Sequence, residues 1–180
     1  VRRWRWPAAI VLVAILGFLA YGFLFGGEKV TPHLLAPEAT ARIGSGEDAV
    51  AVAADGSLLP GLALPDDGEG LPALPLSEPP KGGHLAGPVL QQARVLGATP
   101  TTLRPYVERS YYGESGVDVI LDVGIELRFG DASQAARKWA AAATVLADPT
   151  ISRLDYVDLH APRHPAYGGE GHELPPLPEG

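Results

Sequence analysis

In "VDVILDVGIELRF", Val117 to Phe129, every odd position is apolar. Most even positions are polar: Asp118, Asp122, Glu126 and Arg128. Successive side chains of a strand point to opposite faces, so a period of two marks a half-buried β-sheet. The segment is long for one strand, since strands usually run about 5–6 residues. It predicts a hairpin with a three-residue loop, Asp122-Val123-Gly124. That loop pairs Leu121 with Ile125, Val119 with Leu127 and Val117 with Phe129, all on one face. A two-residue loop at Asp122-Val123 would set Val119 against Glu126. Gly124 also supplies the left-handed residue that three-residue loops use.

The rest of the chain surrounds this hairpin with helices and shorter strands. "DAVAVAADGSLLPGLALP" reads as strand, Asp55-Gly56 turn, strand. A loop follows, with Leu71, Leu74 and Leu76 as core candidates. Pro88 in a first turn and a Leu90, Ala93, Leu96 face predict a helix over about 87–96, ended by Gly97. "YVERSYYGES" reads as a strand ending in a polar turn. The segment from Asp131, a natural N-cap, to the stop at Pro149 predicts a second helix. Its inward face is Ala136, Trp139, Ala143 and Leu146, with Trp139 in the core. Lys138 beside that face reads as a snorkelling surface lysine or a partner contact. In "SRLDYVDLHAP", Val157 and Leu159 face one way and Tyr156, Asp158 and His160 the other. Pro162 and Pro165 make this an expected edge strand. Residues 168–180 are mostly Gly, Pro and Glu without an apolar pattern and read as a disordered tail.

Pro7 to Phe25 carries no charge. As a helix it spans about 28 Å, close to the hydrocarbon thickness of a bilayer. Arg2, Arg3 and Arg5 precede it, and Trp4, Trp6 and Tyr21 suit the interfaces. The positive-inside rule places the N-terminus in the cytoplasm and the body outside. A cleaved signal peptide is the rival reading. The length of the run and bulky Phe23 to Phe25 after Ala20-Tyr21-Gly22 favour an uncleaved signal-anchor. With no Met in the chain, Val1 reads as a non-standard start or a trimmed end. The expected organisation is a cytoplasmic tail (1–6), a transmembrane helix (7–25), a linker (26–47), a folded domain (48–167) and the tail (168–180). The fold class is α+β: a transmembrane helix, then an extracytoplasmic, mostly antiparallel sheet with two flanking helices.

Composition narrows the chemistry. There is no Cys, which excludes disulfides, thiolate metal sites and thiol nucleophiles. Formal charge is −7, and three of the positive charges are Arg2, Arg3 and Arg5, so the rest of the chain carries −10. Such a body offers no electrostatic footprint for nucleic acid. Phosphate-loop, nucleophile-elbow and H-E-x-x-H motifs do not occur. The histidines are His33, His84, His160, His164 and His172. His160 and His164 have helical spacing, but Pro162 opposes a helix, and on an extended chain they stand about 13 Å apart. Asp155 and Asp158 point to opposite faces of their strand and make no carboxylate pair. Asp118, Asp122 and Glu126 read as a solvated face. No enzyme activity, metal, cofactor or small-molecule substrate is expected.

Several motifs occur in a telling order: membrane helix, linker, "ADG", an "LP-x-LP" loop, helix, "GIELRFGD", a helix with Lys138, then "YVDLHAP" and "PAY". In this order the chain resembles the extracytoplasmic β-domain of the FtsQ/DivIB family of bacterial cell-division proteins, most strongly from Gly124 to Tyr167. The resemblance implies a non-enzymatic divisome scaffold in the cytoplasmic membrane at the septum. It implies partners of the FtsB/FtsL type and a role in controlling septal peptidoglycan synthesis. It places a partner strand on the terminal part of the sheet, Tyr156 to Tyr167. Tyr156, Asp158, His160, Arg163 and Tyr167 are the implied contacts. The family's POTRA domain, linked to septal recruitment, is not expected here, because the linker 26–47 is too short to hold one. An unrelated anchored periplasmic binding module and an anchored cell-wall hydrolase are the alternatives.

Overall fold

The hairpin forms as the alternation dictates. The computed structural model describes residues 38–64 and 71–175. The expected transmembrane helix, Arg2, Arg3, Arg5 and most of the expected linker lie outside them. Among the described residues no helix is long and apolar enough to cross a membrane. In the hairpin, β5 (Gly116–Leu121) and β6 (Glu126–Gly130) pair antiparallel. The Leu121 N–H donates to the Ile125 carbonyl at 2.9 Å, and Val119 faces Leu127. Gly124 takes φ +92°, as the loop requires. The third expected pair slips: Val117 faces Gly130 rather than Phe129, across a bulge. The two backbones come too close at that end for side chains. A Cβ on Gly116 would sit 2.2 Å from the Gly130 carbonyl oxygen. Phe129 still points inward, fully buried.

The five-stranded order is β4-β5-β6-β7-β8, with β4 Val107–Gly113, β7 Arg153–Asp158 and β8 Ala166–Glu173. All pairs are antiparallel except β6–β7, which is parallel. The crossover between these two strands is helix α2, Ala135–Leu146. A second, three-stranded ladder orders β1 (Ala39–Ile43), β2 (Val50–Ala53) and β3 (Leu58–Leu59). The Asp55-Gly56 turn joins β2 to β3 as expected, with the Ser57 N–H donating to Asp55 Oδ1 at 2.9 Å. Ala73 bridges Arg42 of β1 on one side and Arg109 of β4 on the other, so the two ladders meet through the "LPALP" segment. Among the described residues the fold is therefore α+β, mostly antiparallel, with two α-helices.

Helix α1, Gly87–Gly97, and α2 cover one face of the sheet. Trp139 ties them together. Its ring is fully buried 4.9 Å from Phe129, and its Nε1–H donates to the Val95 carbonyl of α1 at 2.8 Å. A buried indole N–H needs such a partner. Ser110 of β4 likewise donates to Gln92 of α1 at 3.0 Å, and both are buried.

Several expectations fail for identifiable reasons. Part of the expected linker, Ala39–Ile43, is strand β1, with Ala41 and Ile43 fully buried. The expected edge strand β7 is an interior strand. Pro162 and Pro165 lie in the turn after it, where no ladder hydrogen bond is lost. The expected disordered tail begins with most of β8, Gly168 to Glu173, which is the true edge. Helix α2 starts at Ala135, after Gln134 at φ +54°, rather than at an Asp131 N-cap. Its buried face is Ala135, Lys138, Trp139, Ala142, Val145 and Leu146, while Ala136 is exposed. Lys138 is neither a surface lysine nor a partner contact. It is 3% exposed, and its Nζ donates to the Phe129 carbonyl, the Asp131 carbonyl and Asp131 Oδ1 at 2.8–2.9 Å. A buried ammonium has three donors to satisfy, and the turn after β6 satisfies all three.

Candidate functional site

Neither helix covers the second face of the five-stranded sheet. Even-numbered side chains of β5 and β6 point there, and they pack on one another rather than on water alone. The Tyr111 hydroxyl of β4 donates to Glu126 of β6. Arg128 Nε and Nη2 both reach Glu126 Oε2 at 2.6 Å. The same guanidinium stacks over the Tyr156 ring of β7 at 4.3 Å. The Tyr156 hydroxyl in turn lies over Gly168 of β8, where a Cβ would approach it to 3.4 Å. One chain of contacts thus runs from β4 through Glu126 and Arg128 to Tyr156 of β7, whose hydroxyl lies over the edge strand.

The electrostatics follow from these contacts. The hydrogen bond to Glu126, aided by burial, pushes the Tyr111 phenol up to about 12. The same bond, with Arg128, holds Glu126 below its ordinary value against the pull of its own partial burial. Asp118 corrects the expectation of a solvated face. It is 8% exposed, and burial first, then the nearby Glu126 charge, raise its pKa. Burial pushes the Asp158 carboxyl up, and hydrogen bonds from the His160 backbone and ring outweigh it, leaving it below its ordinary value.

The five residues named as partner contacts do not form one patch. Tyr156 and Asp158 point to the polar face. His160, just past β7, has its Nδ1 2.8 Å from Asp158 Oδ1, and its ring packs where a Cβ on Gly130 would sit. Tyr167 faces Val157, so its half-exposed ring lies on the helix side of the sheet. Arg163 lies in the β7–β8 turn. With Pro162 it borders an open groove of about 400 Å³ whose other wall is Arg137, Ala140, Ala141 and Thr144 of α2. Among the described residues neither Arg137 nor Arg163 has a carboxylate within ion-pair distance. Among the described residues no group of three metal-ligating side chains gathers.

The backbone carries the more informative feature. The Leu159 N–H donates to the Arg128 carbonyl at 2.9 Å, toward β6. Peptide directions alternate along a strand, so Val157 also bonds toward β6, while Tyr156 and Asp158 bond toward β8. Their partners Gly168 and Ala166 therefore point inward. Between them, the N–H and C=O of Tyr167 point outward, along an edge with no neighbour among the described residues. Beyond Gly168 the edge breaks. Tyr156 faces Gly168 and Leu154 faces His172, so two steps on β7 oppose four on β8. The excess residues wrap around Asp155, whose Oδ1 accepts the Gly171 N–H at 2.8 Å. Sequence reasoning missed this element. "YGGEG" carries no strand alternation, and its glycines were the one available signal.

No family model matches the chain, and no curated protein matches it.

Proposed function

We propose that the chain is a non-enzymatic divisome scaffold of the FtsQ β-domain type, held in the cytoplasmic membrane by a single span with the folded domain outside. The span is Pro7–Phe25, oriented by Arg2, Arg3 and Arg5, with the N-terminus in the cytoplasm. The domain binds membrane-anchored partners of the FtsB/FtsL type at the septum and so helps control septal peptidoglycan synthesis. The observation that carries the reading is the open β8 edge, where Tyr167 turns its N–H and C=O outward beside an exposed ring. A partner segment adds there as a further strand, with backbone hydrogen bonds supplying affinity and flanking side chains specificity. Tyr156, Asp158 and His160 lie on one side of the incoming strand, Tyr167 and the Arg137–Arg163 groove on the other. Two cations at the groove suit an acidic residue flanking the partner strand.

The test is capture of the cognate FtsB/FtsL-type partner by the full-length chain in detergent micelles, with Tyr167→Pro as the variant. Proline removes the outward N–H and opposes strand addition. Capture by the unaltered chain and its loss in the variant is the expected result. No capture by the unaltered chain, under conditions where an FtsQ family member binds, contradicts the divisome reading. Uniform membrane fluorescence of a tagged chain, with no enrichment at division sites, contradicts the septal location.

A further inference from the structure

The Gly169–Gly171 bulge is built, not slack. Gly169 takes φ +90°, and a Cβ on it would sit 2.2 Å from Asp155 Oδ2. A Cβ on Gly171 would sit 2.1 Å from Asp155 Oδ1. Glycine is therefore the residue that fits at both positions around this carboxylate. Arg153 holds the same bulge by its carbonyls, Nε donating to the Glu170 carbonyl at 2.5 Å and Nη2 to the Gly171 carbonyl at 2.9 Å. Two charged side chains of β7 thus hold the three residues of the bulge in the edge strand.

We infer that this clamp sets the length of the docking edge: it admits a short strand at Ala166–Gly168 and refuses a long one, above all the β8 edge of a second copy. Unpaired edges invite edge-to-edge association, and a bulge that re-aims the strand is one of the standard guards. An antiparallel β8–β8 pairing that used the whole strand in both copies would be centred between Gly169 and Glu170 and would run through Gly169–Gly171 in both. There β8 bulges around Asp155, so the ladder between the two copies is interrupted at its centre. A partner with a brief extended segment, bounded by helix or turn, meets no such obstacle. The inference rests on reading β8 as a docking edge and adds what that edge selects.

Deleting Gly169 and Glu170 tests it. The deletion removes the excess, so that Gly168, Gly171 and His172 face Tyr156, Asp155 and Leu154 one to one. Sedimentation of the full-length chain in detergent micelles reads self-association. The expected result is a dimer dissociation constant at least tenfold lower than that of the unaltered chain, returned to the original value by adding Tyr167→Pro. A deletion variant with native circular dichroism and unchanged association overturns the inference. Asp155→Ala covers the case in which the deletion fails to fold. It is expected to raise Gly171 amide exchange at least tenfold and to strengthen self-association, and the absence of either change overturns the inference too. The two proposals fail separately. Failure to capture an FtsB/FtsL-type partner leaves the guard standing if the deletion dimerises through Tyr167.

Discussion

At the β3 end of the sheet, the Leu58 N–H donates to the Gly83 carbonyl and the Leu85 N–H to the Gly56 carbonyl. The chain crosses its own edge there. Gly56 allows the close approach, since a Cβ on it would lie 2.5 Å from Leu90. At the β8 end no described segment crosses, and Tyr167 turns its peptide groups outward. A sheet edge left bare invites association, so two ends treated so differently suggest different duties. The closed end belongs to the packed core beneath α1. The open end has backbone groups to offer and a clamp that rations them. The same division separates the two faces: buried aliphatics and Trp139 toward the helices, an ordered polar lattice from Tyr111 to Tyr156 away from them.

Substitutions of decreasing expected effect sharpen or break this contrast. Trp139→Ala removes the buried ring that joins both helices to the sheet and takes the indole donor from the Val95 carbonyl. A loss of about 3–5 kcal/mol is expected in urea denaturation. A loss below about 1 kcal/mol would mean that stability does not reside on the helix side. Gly97→Val acts at the closed end, where a Cβ would meet Ala54 Cα at 2.8 Å. Pushing α1 off the β2–β3 turn is expected to cost about 1–3 kcal/mol by the same assay. Tyr167→Ala, at the open end, is expected to change stability by less than about 0.5 kcal/mol while weakening partner capture. A larger loss of stability would make Tyr167 part of the core rather than of a docking edge.

The smallest effect is electrostatic. The Asp131 carboxyl is drawn from 3.8 to about 2 by the Ser133 hydroxyl first and Lys138 next. A carboxylate with a lowered folded-state pKa stabilises the fold above its unfolded value, and that contribution disappears as pH falls through the folded value. Thermal midpoints of the native chain should therefore drop more between pH 4 and pH 2 than those of Asp131→Asn. The side chain is 68% exposed, so solvent screening keeps the difference small. Identical profiles would show that Asp131 does not help hold Lys138.

Elements whose side chains alternate or recur on one face were legible from the residues alone. Val119 against Leu127, the Asp55-Gly56 turn and α1 follow from parity, turn chemistry and helical spacing, while the helix runs through Gly97, its expected stop, to a cap at Ala98. What stayed hidden depends on partners distant in the chain. "ATARI" looks like linker because its buried positions include small and polar residues, and only β2 makes it a strand. "AYGGEGHE" is held by backbone bonds to β7 and by Asp155, neither of which leaves an apolar pattern. Asp131 has the chemistry of an N-cap, but Lys138 and Ser133 claim its carboxylate. Strand parity places Tyr156 and Asp158 on one face of β7, and His160 lies just past the strand against Asp158. Tyr167 was assigned to the same surface, and the antiparallel pairing with Val157 turns it to the other.

Hydrogen exchange on the full-length chain, with and without its cognate FtsB/FtsL-type partner, tests the docking edge most directly. The account requires strong protection of the Tyr167 amide on binding and unchanged exchange at Gly83–Leu85. Protection at the β3 end, or binding that leaves Tyr167 exchanging as before, would contradict it.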